Sequence, residues 1–140
     1  MQLLAYILIY PILWIVSMLP FRILYFVSDL LYILMYYVIG YRKNAVKENL
    51  NLVFPNKSEA ELRIVLKRFY HHLCDMIVES VKSMNISIDS MKSRYKFNNL
   101  DIITDYEKQN KSIILMCAHY GSWEWIFILQ TYTTHRSYAI

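Results

Sequence analysis

The chain has 140 residues, of which 15 are basic, 11 acidic and 4 histidine, for a net charge of +4. Hydrophobic residues make up 56%, aromatics 16% and charged residues 19%, with only 2 glycines and 3 prolines. This composition excludes a disordered chain, a collagen-like repeat and a glycine-rich phosphate-binding domain, and the length fits one domain rather than two.

The charge is unevenly placed. Residues 1–41 hold only Arg22 and Asp29, which leaves 14 basic and 10 acidic residues for 42–140. The first third therefore reads as lipid-facing or deeply buried, and the remainder as a water-soluble fold. Leu3 to Leu19 is an uncharged run of 17 residues. As a helix it would reach about 25 Å, a little short of the roughly 30 Å hydrocarbon layer. Pro11 inside it is better tolerated in a membrane helix than in water. A cleaved signal peptide is not expected, because no basic segment precedes the run and no small-residue cleavage site follows it. The run reads as a retained anchor.

Phe21 to Tyr41 predicts a second helix. Arg22, Tyr25, Asp29, Tyr32 and Tyr36 share one of its faces. At mid-bilayer Asp29 would cost about 2.5–3.5 kcal/mol. A helix lying in the membrane interface, with that stripe wet, is favoured over a second span, and a core helix is the alternative. Arg42, Lys43 and Lys47 follow directly as candidate membrane-surface residues. Such a basic excess marks the cytoplasmic side and attracts anionic headgroups at about 1 kcal/mol per charge. The expected organisation is thus 1–41 as hydrophobic membrane-anchoring helices and 42–140 as the catalytic portion.

Phe54-Pro55-Asn56-Lys57 reads as a helix end and a turn. Ser58 and Glu61 form a capping box for a helix running to about Met84, with Leu62, Val65, Leu66, Phe69 and Leu73 at helical spacing. His71 and His72 lie on it, but neighbours in sequence do not share a helix face, so no metal site is expected. Cys74 and Cys117 cannot make a disulfide framework and lack metal-ligand spacing. The basic residues of 42–68 alternate with Glu48, Glu59 and Glu61 without a recognition motif, so nucleic acid is not an expected partner. Asn85 to Ser93 reads as a polar loop, Tyr95 to Leu100 as a short strand and Asp101 to Gln109 as a short helix. Ser112-Ile-Ile-Leu-Met-Cys-Ala118 is a continuous apolar run of the kind found in strands buried on both faces. Helix followed by buried strand predicts an α/β fold.

That strand runs into His119-Tyr120-Gly121-Ser122-Trp123-Glu124, and a new apolar helix follows. Functional side chains gather at such strand ends in open α/β sheets. Ser122 is placed to cap the helix and Glu124 to lie in its first turn, while the turn at Gly121 allows His119 to meet Glu124. A histidine oriented by a carboxylate, without a protein nucleophile, suits proton abstraction from a substrate hydroxyl. A structural reading of the same residues is a satisfied strand-end histidine and a glutamate favouring the helix dipole.

The six-residue segment resembles the His-x-x-x-x-(Asp/Glu) motif of the glycerolipid acyltransferases. Its surroundings resemble the late acyltransferases of lipid A biosynthesis, the lauroyl/myristoyl-transferase group, with Ser122 where that group usually has Asn. Other matching features are Tyr41-Arg42-Lys43 through Asn49-Leu50, Phe54-Pro55 with the capped helix behind it, Tyr70, and Asp75 with Glu79. The resemblance implies a glycerolipid-acyltransferase-like α/β fold and an enzyme of the bacterial inner membrane. It implies acyl-acyl carrier protein as donor, a lipid A precursor hydroxyl as acceptor, and no cofactor or metal. His119 would be the general base, Glu124 its orienting partner, and Gly121, Ser122 and Trp123 substrate-binding residues. Family members are longer, so the chain corresponds to their amino-terminal portion, ending within a next strand at Arg136 to Ile140. Alternatives are a lysophospholipid or aminoacyl-lipid acceptor, an acyl-enzyme on Cys117, or an inactive membrane-anchored remnant.

Overall fold

The computed structural model describes residues 2–138. The chain forms two compact units, Met1–Met84 and Asn85–Ile140. In the first, α1 (Gln2–Met18), α2 (Phe21–Ile33, continued by a π-helical turn over Leu34–Ile39) and α3 (Lys43–Val53) all pack on α4 (Glu59–Lys82). The second holds α5 (Ile88–Arg94), α6 (Leu100–Lys108) and a 3-10 helix (Trp123–Thr131).

Helix α4 organises the first unit. Its start is the expected capping box: the Ser58 hydroxyl accepts from the Glu61 amide, and the Glu61 side chain reaches back to the Ser58 amide. The Ser58 donors hold the Glu61 carboxyl below the usual carboxylate range. From there Leu62, Leu66, Tyr70, Cys74, Val78 and Lys82 form one buried row at intervals of four, a ridge suited to helix packing. Tyr36, Leu66 and Tyr70 make the hydrophobic centre, with Tyr32, Val46, Leu50 and Leu73 against it.

Beside this apolar row runs a polar one. Tyr25 donates to Glu79 at 2.7 Å, and Ser28 donates to Asp75 at 2.6 Å. The His71 ring lies between Asp29 at 2.8 Å and Asp75 at 3.3 Å. Partner numbers rise on α2 as they fall on α4, so the two helices are antiparallel. The stripe of Tyr25, Asp29, Tyr32 and Tyr36 therefore docks on α4 instead of standing free in water as expected, although Asp29 remains exposed at its edge. At the far end the buried Lys82 ammonium donates to the carbonyls of Ser17 at 2.7 Å and Leu19 at 2.8 Å. These are carbonyls that the end of α1 leaves without intrahelical partners, and a cation complements the helix dipole there.

The other end of α2 closes at Gly40, whose φ of 65° is left-handed, and the Tyr41 amide bonds back to the Met35 carbonyl at 3.1 Å. Tyr70, fully buried, donates its hydroxyl to the Tyr41 carbonyl and fixes this turn to α4. Burial pushes the Tyr70 phenol and the Cys74 thiol up from their ordinary values.

The expected α/β fold is not what the chain adopts. Among the described residues there is no strand and no sheet, and 69% of the chain is helical. Ser112–Ala118 has strand composition, but no second strand forms among the described residues to pair with it, and an unpaired strand has no ladder to stabilise it. Ile114 is accordingly 89% exposed and Met116 91%. Tyr95 to Leu100, the other strand candidate, is interrupted by Asn99 in the left-handed region (φ 59°) at the start of α6. The Asn85–Ser93 loop contains α5, which Ser87 caps by accepting from the Ser90 amide at 3.2 Å. The strand expected at Arg136 to Ile140 lies partly outside the described residues, and no strand forms over 136–138.

One prediction concerns Lys82. Hydrogen bonds from a charged donor to a helix terminus contribute on the order of 2 kcal/mol. Lys82→Met should lower unfolding stability by about that much in a denaturant titration followed by circular dichroism. An unchanged midpoint would mean that the α1 carbonyls do not need the ammonium.

Candidate active site

The motif lies in the second unit, on a stretch the chain folds by local turns. Residues 111–118 carry no regular secondary structure and are exposed. The Tyr120 amide bonds to the Ala118 carbonyl at 2.9 Å, and the Trp123 amide to the Gly121 carbonyl at 2.9 Å. Between them Gly121 sits at φ 59°, which only glycine adopts without strain, and a Cβ there would meet nothing within 4 Å. The expected turn at Gly121 is thus present, with open space in front of it.

The following helix is 3-10 rather than α. At three residues per turn, Trp125 and Ile128 fall on one line, and both are buried, at 5% and 4% exposure. Trp123, Ile126 and Leu129 form a half-buried row, and Glu124 shares the remaining row with the exposed Phe127 and Gln130. The helix packs on α5. Glu124 occupies its first turn, and Ser122 stands at the N-cap position without a side-chain capping bond.

His119 is exposed, and its ring packs on the Trp123 indole with centroids 4.3 Å apart. Among the described residues no hydrogen bond or ion pair joins His119 to Glu124. The structure therefore brings His119 together with Trp123 and places Glu124 across the Gly121 turn. Cys117 is exposed on the same irregular stretch. Residues 117–119 form no strand.

The three basic residues after α2 have individual surroundings. The Lys43 ammonium lies 3.8 Å above the Tyr36 ring, a cation–π contact. Lys47 pairs with Glu59 at 3.6 Å, a solvent-exposed pair of small energetic weight. Arg42 is exposed, with a left-handed φ of 50°.

Sequence reasoning missed a carboxylate clamp. Glu107 on α6 accepts from the Thr133 hydroxyl, the Thr134 amide at 2.7 Å and the His135 amide at 3.0 Å. These donors, led by the Thr133 hydroxyl, lower the Glu107 carboxyl to about 2. The clamp ties the segment after the 3-10 helix to α6. The adjacent Thr133-Thr134 donors were its only signal in the sequence.

The family model described as bacterial lipid A biosynthesis acyltransferase matches residues 2–138. No curated protein and no solved structure matches the chain. The match takes in both units and the whole His119–Glu124 segment, and the chain belongs to this family.

The clamp generates a pH prediction. Folding lowers the Glu107 pKa, so its contribution is complete above about 4.5 and is lost as pH falls from there towards 2. The Thr134 and His135 amide resonances should titrate with a midpoint near 2 by NMR, and Glu107→Gln should abolish that titration. A midpoint in the ordinary glutamate range would show the clamp to be absent in solution.

Proposed function

We propose that the chain provides the base-bearing part of a membrane-bound O-acyltransferase that moves a fatty acyl chain from acyl carrier protein to a hydroxyl of a lipid A precursor. Membership of the family implies acyltransferase activity of lipid A type. The observation that carries the finer reading is the His119–Glu124 segment, set around an open left-handed turn within the matched region.

In this reading the His119 imidazole takes the proton of the acceptor hydroxyl. The acceptor oxygen then attacks the thioester carbonyl, the carbon–sulfur bond breaks, and the carrier thiol leaves with the proton. Glu124 orients the ring and stabilises its charged form. Hydrogen bonds of this kind are often made only once substrate closes the site. The exposure of His119 and the open space at the Gly121 turn are compatible with that closure. Ser122 and Trp123, next to Gly121, would line the acceptor side, with the Trp123 ring already against the imidazole. The chemistry requires no metal or cofactor.

The proposed location is the bacterial inner membrane, with the catalytic part on the cytoplasmic side. The apolar surfaces of α1 and α2 support this reading, as does the basic segment that follows them. Arg42, Lys43 and Lys47 would lie near anionic headgroups, Arg42 most directly.

His119→Ala should lower acyl transfer from acyl carrier protein to a lipid acceptor by roughly 10²–10⁴, the usual size of a general-base contribution. Glu124→Gln should also slow transfer, and the two losses should be far from additive, because the residues act as a unit. Cys117→Ala should leave transfer largely intact. Wild-type turnover by a folded His119→Ala variant, or an inactive folded Cys117→Ala variant, would overturn this mechanism.

A further inference from the structure

Phe21–Ile39 is a continuous helix of 19 residues with a mean hydropathy of 1.5, long and apolar enough to cross a bilayer. Its neighbour argues against that placement. Helix α4 runs antiparallel along it, from the Tyr25–Glu79 hydrogen bond to the Tyr36–Tyr70 ring contact. Over this docked stretch α4 carries His71, His72, Asp75 and Glu79. A perpendicular α2 would take these groups into the hydrocarbon layer, where ionisable side chains are strongly disfavoured.

The opposite face of α2 has a different character. Ile23, Phe26, Leu30, Ile33 and Tyr37 recur at intervals of three and four and are each about half exposed or more. They lie across the helix from Leu24, Ser28 and Tyr36, which are buried on the α4 side. This exposed strip is uncharged and covers about 21 Å of helix. One face is thus tied to a charged helix that needs water, and the other is an unbroken apolar ridge.

We propose that α2 is a surface helix whose Ile23–Tyr37 ridge sinks into one leaflet of a lipid bilayer while α4 stays on its aqueous side. The inference rests on the membrane location proposed above and specifies how the protein is seated. The occupant of the ridge is lipid rather than another protein, because the preceding helix shares its character. From Tyr6 to Ile12, α1 is exposed around its whole circumference and bears no charge. A helix docked flat by one face and greasy on the other is the arrangement expected of an interfacial element.

The test uses the whole chain with Cys117→Ala, since Cys74 is buried and poorly placed to react. Single cysteines replace Ile23, Phe26, Leu30, Ile33 or Tyr37, and a sixth variant replaces Leu8 on α1. Each is labelled with a nitroxide and placed in phosphatidylethanolamine–phosphatidylglycerol vesicles. Depth is read by electron paramagnetic resonance from oxygen and nickel-chelate accessibility. The five α2 labels should share one shallow depth, about 5–10 Å below the headgroup boundary. Depths that change steadily from Ile23 to Tyr37, by up to about 21 Å, would show a spanning helix and overturn the proposal. Wet α2 labels beside a lipid-buried Leu8 label would assign the ridge to another occupant and also overturn it, while leaving the membrane location intact. If all six labels are wet, the membrane location itself fails, and the proposal with it.

Discussion

Helix α4 carries the polar side chains that α1 and α2 lack, and those apolar helices depend on how it receives them. α1 carries no charged residue, and α2 carries only Arg22 and Asp29. Apolar burial alone would let such helices slide or aggregate, because it is non-directional. The polar row of α4 supplies direction. His71, Asp75 and Glu79 meet Asp29, Ser28 and Tyr25, and Lys82 closes the end of α1. Each contact joins residues about 40 to 65 positions apart and specifies the register of one helix on another.

The seam also gives α2 two unlike faces, and the turn behind it inherits that constraint. Gly40 and Arg42 both take left-handed conformations, an arrangement that needs support. Tyr70 supplies it through the Tyr41 carbonyl, and the aromatic cluster around Tyr36 packs over it. The turn sets the start of α3, whose Val46 and Leu50 complete the cluster. The basic segment of Arg42, Lys43 and Lys47 is thus placed by a buried tyrosine.

Much of the helical organisation was legible from local signals. The Ser58–Glu61 capping box and the apolar periodicity behind it mark α4, and the uncharged run marks α1. Tyr25, Asp29, Tyr32 and Tyr36 were correctly placed on one face, but the face was assigned to water. Periodicity reports that side chains share a direction and says nothing of what stands opposite. The partners lie on α4, and no local pattern links them to α2. The strand expected at Ser112–Ala118 failed for a related reason: apolar composition signals burial only if another strand is there to share the ladder. α5 did have a local signal, with Ser87 as cap, Asp89 in its first turn and Lys92 and Arg94 in its last, but it is only seven residues long. At the motif, the Gly121 turn and the place of Glu124 were legible. The 3-10 winding that buries Trp125 with Ile128 was not, because the same apolar residues also suit an α-helix.

The proposed acyl transfer to a lipid hydroxyl would need a base near a membrane surface and open to a large acceptor. The first unit offers an apolar surface, and the second an exposed histidine beside an open turn. The account rests on the polar seam holding the apolar helices to α4, and the Ser28–Asp75 bond is its shortest hydrogen bond between α2 and α4. The direct measurement is a double-mutant cycle on unfolding stability with Ser28→Ala, Asp75→Ala and the pair. A coupling energy of about 1 kcal/mol is predicted, as for residues in one hydrogen-bonded network. Strictly additive losses would contradict the seam as the element that fixes the helices in place.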